Sequence, residues 1–409
     1  MKKSIICFLF LIACIGVLAQ EIQEEAVAIN VEVPVRVYRG KTFVDNLTIH
    51  DFELYENGIL QNLDAVYLVK KTDIERREEN KRFNPSTQRH FFLNFQISEY
   101  TTKIDSALEY FFDNVMTPTD ELTIVSPMKT YKLHQQVLRQ RPKEEIVAEL
   151  RGKLRKDTQT GNSEYRATVR ELSQLARVLG GMIQGGVGVA SLDPSNSVNP
   201  DEVTGSIEEI INQYRASMEK LETLRRVNEQ NLLDFSNYLQ DVDGQKHLFL
   251  FYQREFIPII DPKVLNQAGS MFQDTPTLLM DLSSINDFYR RDITFNVERV
   301  KRAYSDSEIS IHFLFFTQPA QSFSGLRMEE HSEDIFSAFS EMALASGGTV
   351  ESSANPDYLF KYASEATENY YMIYYTPKNF VNDGKFKSLE VRVKTPGYRI
   401  THRAGYFAK

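Results

Sequence analysis

From His90 onward the chain alternates apolar runs with amphipathic helical stretches, and this alternation constrains the fold more than any other feature of the sequence. Phe91-Phe92-Leu93-Asn94-Phe95 is continuous enough to be covered on both sides, as a strand inside a layered sheet is. Residues 121–125, 247–252 and 309–316 read as further strands, and 102–116, 295–304, 330–345 and 357–367 as the helices between them. Residues 102–116 place Ile104, Ala107, Leu108, Phe111 and Phe112 on one face. Strands that alternate with helices need crossover connections, which favour parallel neighbours. The expected fold class is therefore α/β, with a doubly wound, mostly parallel sheet over residues 89–368.

The flanks read differently. In residues 26–71, Val31, Val33, Val35 and Val37 alternate with Glu32, Pro34, Arg36 and Tyr38, which is the period of a half-buried strand. Asn57-Gly58 is a hairpin turn, since both central residues of such a turn need positive φ. Residues 369–409 return to β, with turns at Asp383-Gly384 and Pro396-Gly397. The two terminal segments are expected to pair as a smaller β-sandwich-like domain. Between them and the α/β part, residues 72–88 read as a charged linker; their charges nearly cancel, which favours a solvated segment over a nucleic-acid patch. A helical insertion is expected at 134–245, ending in a long helix over 206–239. Ile207, Ile210, Ile211, Tyr214, Met218, Leu221 and Leu224 share one face of it, wide enough to suggest a scaffold that oligomerises there. The glycine-rich stretch 180–188 lacks the Gly-Lys-Ser/Thr ending of a phosphate loop and follows a helix, so it reads as a loop.

Met1-Lys2-Lys3-Ser4 followed by an apolar run over 5–19 has the form of a secretory signal, with cleavage expected between Ala19 and Gln20. A competing reading takes Leu11-Ile12-Ala13-Cys14 as a lipobox, with Cys14 lipidated and the protein anchored. Either way the expected location is export to a periplasm, a cell surface or the medium. Both cysteines, Cys7 and Cys14, lie in this segment, so a chain cut after Ala19 has no disulfide, thiol nucleophile or cysteine-bound zinc. No other run approaches membrane length. With 47 Lys+Arg against 56 Asp+Glu the net charge is −9, which argues against nucleic-acid binding, a role that needs cations to displace phosphate counterions.

Several stretches resemble, in this order, a bacterial family of von Willebrand factor A-related proteins common in acidobacteria. They are Asp51-Phe52-Glu53-Leu54-Tyr55-Glu56-Asn57-Gly58 with Gln61, then Gly244-Gln245-Lys246 ahead of a strand, and Ala345-Ser346-Gly347-Gly348-Thr349. The last are Tyr375-Thr376-Pro377, Asp383-Gly384-Lys385-Phe386, Pro396-Gly397-Tyr398 and Gly405-Tyr406. The resemblance implies a vWA/Rossmann-like domain holding Mg²⁺ at the carboxyl edge of its strands. The ligands would be an Asp-x-Ser-x-Ser motif, a distant Thr and an Asp ending a later strand. This sequence departs from that pattern. Asn94 stands where the Asp would be, Gln96 replaces the first Ser, Ser98 remains, and Gln253 replaces the later carboxylate. A divalent cation needs anionic ligands to offset its dehydration, and neutral amides remove them. No metal and no cofactor are expected; the alternative is Mg²⁺ or Ca²⁺ held with help from Glu99, Glu255 or Asp120. The edge formed by Asn94, Gln96, Ser98, Gln253 and Glu255 is the candidate partner-binding edge, because ligands bind beyond the carboxyl ends of parallel strands.

No catalytic constellation is visible. No two of the seven histidines have metal-site spacing, and there is no Gly-x-Ser-x-Gly elbow. His247 and His312 read as hydrogen-bonded core-edge residues. Tyr370, Tyr371, Tyr374 and Tyr375 read as core, with an aromatic recognition surface as the alternative. Two functions follow as expectations: a non-catalytic interaction protein of the cell envelope with an unknown protein partner, or an envelope hydrolase with its site between the α/β domain and the helical insertion.

Overall fold

The computed structural model describes residues 29–184, 200–289, 292–320 and 326–409. The expected signal segment with Cys14, Ala19 and Gln20, and residues 185–188 of the glycine-rich stretch, lie outside the described residues.

The first strands are β1 (Val31–Arg39), β2 (Thr42–Phe43), β3 (Phe52–Glu56), β4 (Ile59–Gln61), β5 (Leu63–Lys70) and β6 (Asp73–Glu79). Next come β7 (Arg89–Gln96), β8 (Glu121–Val125), β9 (Thr130–Leu133), β10 (Gln245–Gln253), β11 (Phe256–Ile259), β12 (Ile309–Phe316), β13 (Arg327–Glu330) and β14 (Thr349–Ser353). The last are β15 (Asn369–Tyr375), β16 (Phe386–Val393), β17 (Arg399–Thr401) and β18 (Gly405–Phe407).

They form four sheets among the described residues. The central one runs β14-β12-β10-β7-β8-β9; its pairs are parallel except the β8–β9 hairpin. The other three, β17-β1-β15-β5-β6 with β2 on β1, β18-β16-β3-β4, and the ribbon β11-β13, contain only antiparallel pairs. The expected doubly wound, mostly parallel fold is thus corrected: the chain is a mixed α/β protein in which three of four sheets are antiparallel and the fourth is mixed. The physical reason is in the connections. Strand–helix alternation is confined to part of the chain. Elsewhere strands are joined by tight turns such as Asn57-Gly58, with φ of 49° and 79°, which only antiparallel neighbours accept.

One face of the central sheet buries Phe91, Leu93, Phe95, Phe249, Phe251 and Leu314 against the helices Thr102–Tyr110, Lys143–Gly161 and Pro356–Glu368. The other packs Phe92, Leu248, Leu250, Tyr252, Ile311 and Phe313 against Glu229–Gln240, Val297–Asp306 and Glu333–Ala345. The helices Ser163–Gln184 and Pro200–Arg225 share a separate core with Pro262–Met271, Pro276–Ile285 and the β11-β13 ribbon. The insertion expected at 134–245 is therefore not self-contained, since segments beyond β10 complete it. The helix expected over 206–239 breaks after Arg225 and restarts at Glu229, where the Asn228 side chain accepts from the Asn231 N–H. Ile207, Ile211, Tyr214, Met218 and Leu221 are buried in that shared core. Most of the face expected to drive oligomerisation is thus covered by this chain itself, while Ile210 is half-buried and Leu224 exposed. No helix among the described residues is long and apolar enough to cross a membrane.

The terminal segments interleave. β1 pairs with β15 and β17, β15 with β5, and β3 with β16, around a core that includes Val33, Val35, Leu54, Tyr371, Ile373 and Val391. Tyr370, Tyr371, Tyr374 and Tyr375 are all buried, and the Tyr375 and Tyr406 hydroxyls donate to Glu56 at 2.6 and 3.0 Å. This is packing, and it leaves no aromatic recognition surface there. The segment read as a linker, 72–88, carries the strand β6, whose alternate residues are half-buried. Tyr67 reaches across to donate to Glu79 at 2.6 Å. Charge masked a period of two.

His402 joins these layers. Its Nε2 accepts from the Val391 N–H at 3.2 Å, and its Nδ1 lies 2.8 Å from the Arg403 carbonyl, so the ring is neutral with the proton on Nδ1. Burial lowers its pKa, with the Arg403 carbonyl and Glu390 opposing. Because the folded pKa lies below the unfolded one, the unfolded chain takes up the proton first on acidification. Stability from this group is full above about pH 6.5 and falls below it, by at most about 1.4 kcal/mol per pH unit. His402→Gln is expected to flatten the slope of urea-unfolding free energy between about pH 6.5 and pH 5 by up to that amount. An unchanged slope would remove the role assigned to His402.

Candidate functional site

β7, β10 and β12 run parallel and end side by side, at Gln96, Gln253 and Phe316. Gln253 is buried, and its Oε1 accepts from the Ser98 N–H at 3.0 Å, the Ser98 hydroxyl at 3.1 Å and the Glu99 N–H at 3.0 Å. Its Nε2 donates to Gln318 Oε1 at 3.2 Å, and Gln318 Nε2 donates to the Arg254 carbonyl at 2.9 Å. One side chain thus ties the turn after β7 to β10 and to the loop after β12. Asn94 and Gln96 also pair, Gln96 Nε2 donating to Asn94 Oδ1 at 2.8 Å.

These residues open onto a cleft of about 640 Å³, within the range of ligand sites. Asn94, Gln96, Ser98 and Glu255 line it; Gln253 stands behind Ser98 and does not. Leu232, Phe235, Leu248, Leu250, Tyr252 and Phe339 make its apolar depth. Asn228, Asn231, Arg226 and Glu164 add to its polar lining. The cleft lies between the central sheet and the helical part of the chain, over the break between Pro200–Arg225 and Glu229–Gln240.

The carboxylates in its lining are engaged. Glu255 pairs with Arg225, and Glu164 pairs with Lys220 at 3.1 Å. Arg225 is itself buried and contacts the His331 carbonyl, the His331 Nδ1 and Glu222. Burial works against its charge, and Glu255 beside it, with Tyr252, Tyr165 and Glu222, more than offsets this and raises the guanidinium pKa. Arg225 thereby clasps the chain before the helix break to both strand connections, 253–256 and 330–333. Ser98 donates its proton to an amide, and among the described residues no histidine, aspartate, cysteine or lysine lines the cleft. Among the described residues no three His, Cys, Asp or Glu side chains cluster so as to hold a metal ion.

The other expected residues divide. Glu99 is exposed and offers its N–H to Gln253. Asp120 is not at this edge: it sits at the start of β8, buried against Arg89 at 2.7 and 3.0 Å. His247 and His312 lie inside the central sheet; His312 Nδ1 is 3.0 Å from Thr349 Oγ1, while neither ring nitrogen of His247 has a partner among the described residues. The reading of both as hydrogen-bonded is corrected for His247. Sequence reasoning missed Arg225, Phe235 and Tyr252. The signal for the first was the Arg225-Arg226-Val227-Asn228-Glu229 run, whose Asn and Glu are the start of a new helix.

No protein-family model matches the chain, and no curated protein matches it. Among solved structures it is similar to the human COPII-coat protein Sec24c, at 7% identity and a TM-score of 0.27 over 79% of this chain. The chain spans 43% of the length of that coat protein. A likeness at that level does not establish a shared fold.

Proposed function

We propose that the chain is an exported, non-catalytic recognition protein of a bacterial cell envelope that receives a protein partner in the cleft beyond β7 and β10. The observation that carries this reading is the state of the cleft's polar groups. Ser98 is bonded to Gln253, Glu255 to Arg225 and Glu164 to Lys220, which leaves a shaped, amide-rimmed and apolar-floored surface. Such a surface buries apolar area and orients a partner through amides. The resemblance of the sequence to von Willebrand factor A-related proteins supports recognition in place of turnover, and the form of residues 1–19 supports export. Because the cleft also lies between the central sheet and the helical part, a hydrolase is the second reading.

One experiment separates the two. A photo-crosslinking residue is placed at Gln96, at Asn231, or at the remote, exposed Lys394, in the native envelope. The expected result is a defined protein adduct from the two cleft positions only, lost when Leu250→Trp fills the cleft. Equal labelling from Lys394, or turnover of peptidase, esterase or glycosidase substrates abolished by Leu250→Trp, would replace the recognition reading.

A further inference from the structure

The opposite end of the central sheet, where β7, β10 and β12 begin, meets the inner face of β1 and β15 in a buried layer of hydrogen-bond donors. Arg36 of β1 is fully buried. Its Nη1 donates to Ser310 Oγ and to the Gly347 carbonyl, both at 3.3 Å, while Nε and Nη2 have no partner among the described residues. Ser310 stands opposite His247 in the β10–β12 pairing, and the His247 ring lies 5.8 Å from that of His312. Among the described residues, both His247 nitrogens and His312 Nε2 have no partner, nor has the hydroxyl of Tyr370, whose ring centre is 5.9 Å from the Arg36 guanidinium carbon. Arg89 completes the layer. It uses Nε and Nη2 on Asp120 and the Val115 carbonyl, and its Nη1 has no partner among the described residues. Arg36, Arg89, His247, His312 and Tyr370 are each no more than 1% exposed.

The charges in this layer do not balance. The layer holds two guanidinium ions and one carboxylate, Asp120, which pairs with Arg89 and also accepts from the Thr117 N–H at 2.7 Å. A buried cation without a counter-charge is strongly disfavoured. Three of the unpartnered atoms, Arg36 Nε and Nη2 and Arg89 Nη1, can only donate, while the His247 ring offers one donor and one acceptor and the Tyr370 hydroxyl can do either. Water could accept from the guanidinium groups but carries no charge, so the second guanidinium would still lack a counter-ion. An anion needs only donors and also supplies the missing charge. We propose that this layer is a binding site for a small monovalent anion of halide size, held by the Arg36 guanidinium, a His247 N–H and the Tyr370 hydroxyl. Burial, and after it Arg36, lowers the His247 pKa, so the ring is a neutral donor beside the one charge. The ion would join β1 and β15 to the start of the central sheet.

The test has two arms. Thermal unfolding of the full chain is followed as sodium chloride or bromide replaces sodium gluconate at constant ionic strength. Crystals grown in bromide are measured at the bromine absorption edge. The expected result is a midpoint that rises by several degrees with halide, as linkage to a ligand of the folded state requires, and an anomalous peak between Arg36 and His247. The rise is expected to vanish in Arg36→Gln; should that variant not fold, His247→Leu is expected to diminish it. Equal midpoints in halide and gluconate, a rise unchanged in the variant that folds, or ordered water with no bromine signal in the layer would overturn the proposal.

Discussion

Gly348→Ala is expected to yield no soluble, folded protein. A Cβ at this position would lie 1.8 Å from the carbonyl oxygen of Ile311 and 2.5 Å from its carbon, both in the backbone of a buried central strand. No rotamer relieves a backbone clash, and the strand cannot retreat. Ile311 donates its N–H to Ser346 Oγ at 2.9 Å and is register-paired with Leu248 on its other side. The neighbouring Gly347 has φ of 77°, its carbonyl receives Arg36, and a Cβ there would meet the His402 backbone at 2.7 Å. The two glycines therefore lie where the helix Glu333–Ala345, the central sheet and the C-terminal segment approach backbone to backbone. Gly152→Ala is the control. It sits in the helix Lys143–Gly161 with open space around its Cβ position, and it is expected to stabilise by about 0.5–1 kcal/mol. Expression yield and circular dichroism of the pair check this. A cooperative unfolding transition for Gly348→Ala within a few degrees of the parent would show that the junction relaxes.

Some of this organisation was legible. Ser346-Gly347-Gly348-Thr349 is a visible motif although its crowding is not, and Phe91-Phe92-Leu93-Asn94-Phe95 reads as a strand covered on both faces. The alternation that starts there covers only part of the chain. It says nothing about the turn-linked strands at each end, which make most of the antiparallel pairing. Strand β6 was hidden because Asp73, Glu75, Arg77 and Glu79 are exposed partners of half-buried Ile74, Arg76 and Glu78, so hydropathy saw only charge. At the candidate site, the resemblance groups Asn94, Gln96, Ser98 and Gln253, with Glu255 two residues on; Asn94, Gln96, Ser98 and Glu255 line one cleft, and Gln253 stands behind Ser98. The cleft itself was not legible. Its floor comes from β10 and from Leu232 and Phe235 on a helix, a contact between segments that no local pattern encodes. The donor layer around Arg36 was equally silent: an arginine at an alternating strand position reads as the wet face until a second sheet is known to cover it.

Gln253→Leu is expected to destabilise the chain by about 2–3 kcal/mol, more than any change at the exposed rim of the cleft. Leucine has a similar volume, so the loss is one of hydrogen bonding. The Ser98 N–H, the Glu99 N–H and the Ser98 hydroxyl lose their shared acceptor, and Gln318 Oε1 loses its donor. Part of the cost is recovered because Glu99 is exposed and water reaches its N–H. Gln253→Glu is the informative partner. A carboxylate accepts from the same three donors more strongly than an amide does, but it faces the Gln318 oxygen, which cannot turn without giving up the Arg254 carbonyl. The net change is expected to be under about 1 kcal/mol. It is also expected to confer no Mg²⁺ binding by titration calorimetry, since Asn94 and Gln96 add no charge and are bonded to each other. Urea unfolding of both variants reads the first expectation. A micromolar Mg²⁺ affinity in Gln253→Glu would show that the edge lacks only one carboxylate to be a metal site, and the recognition surface would then be an ion-dependent one.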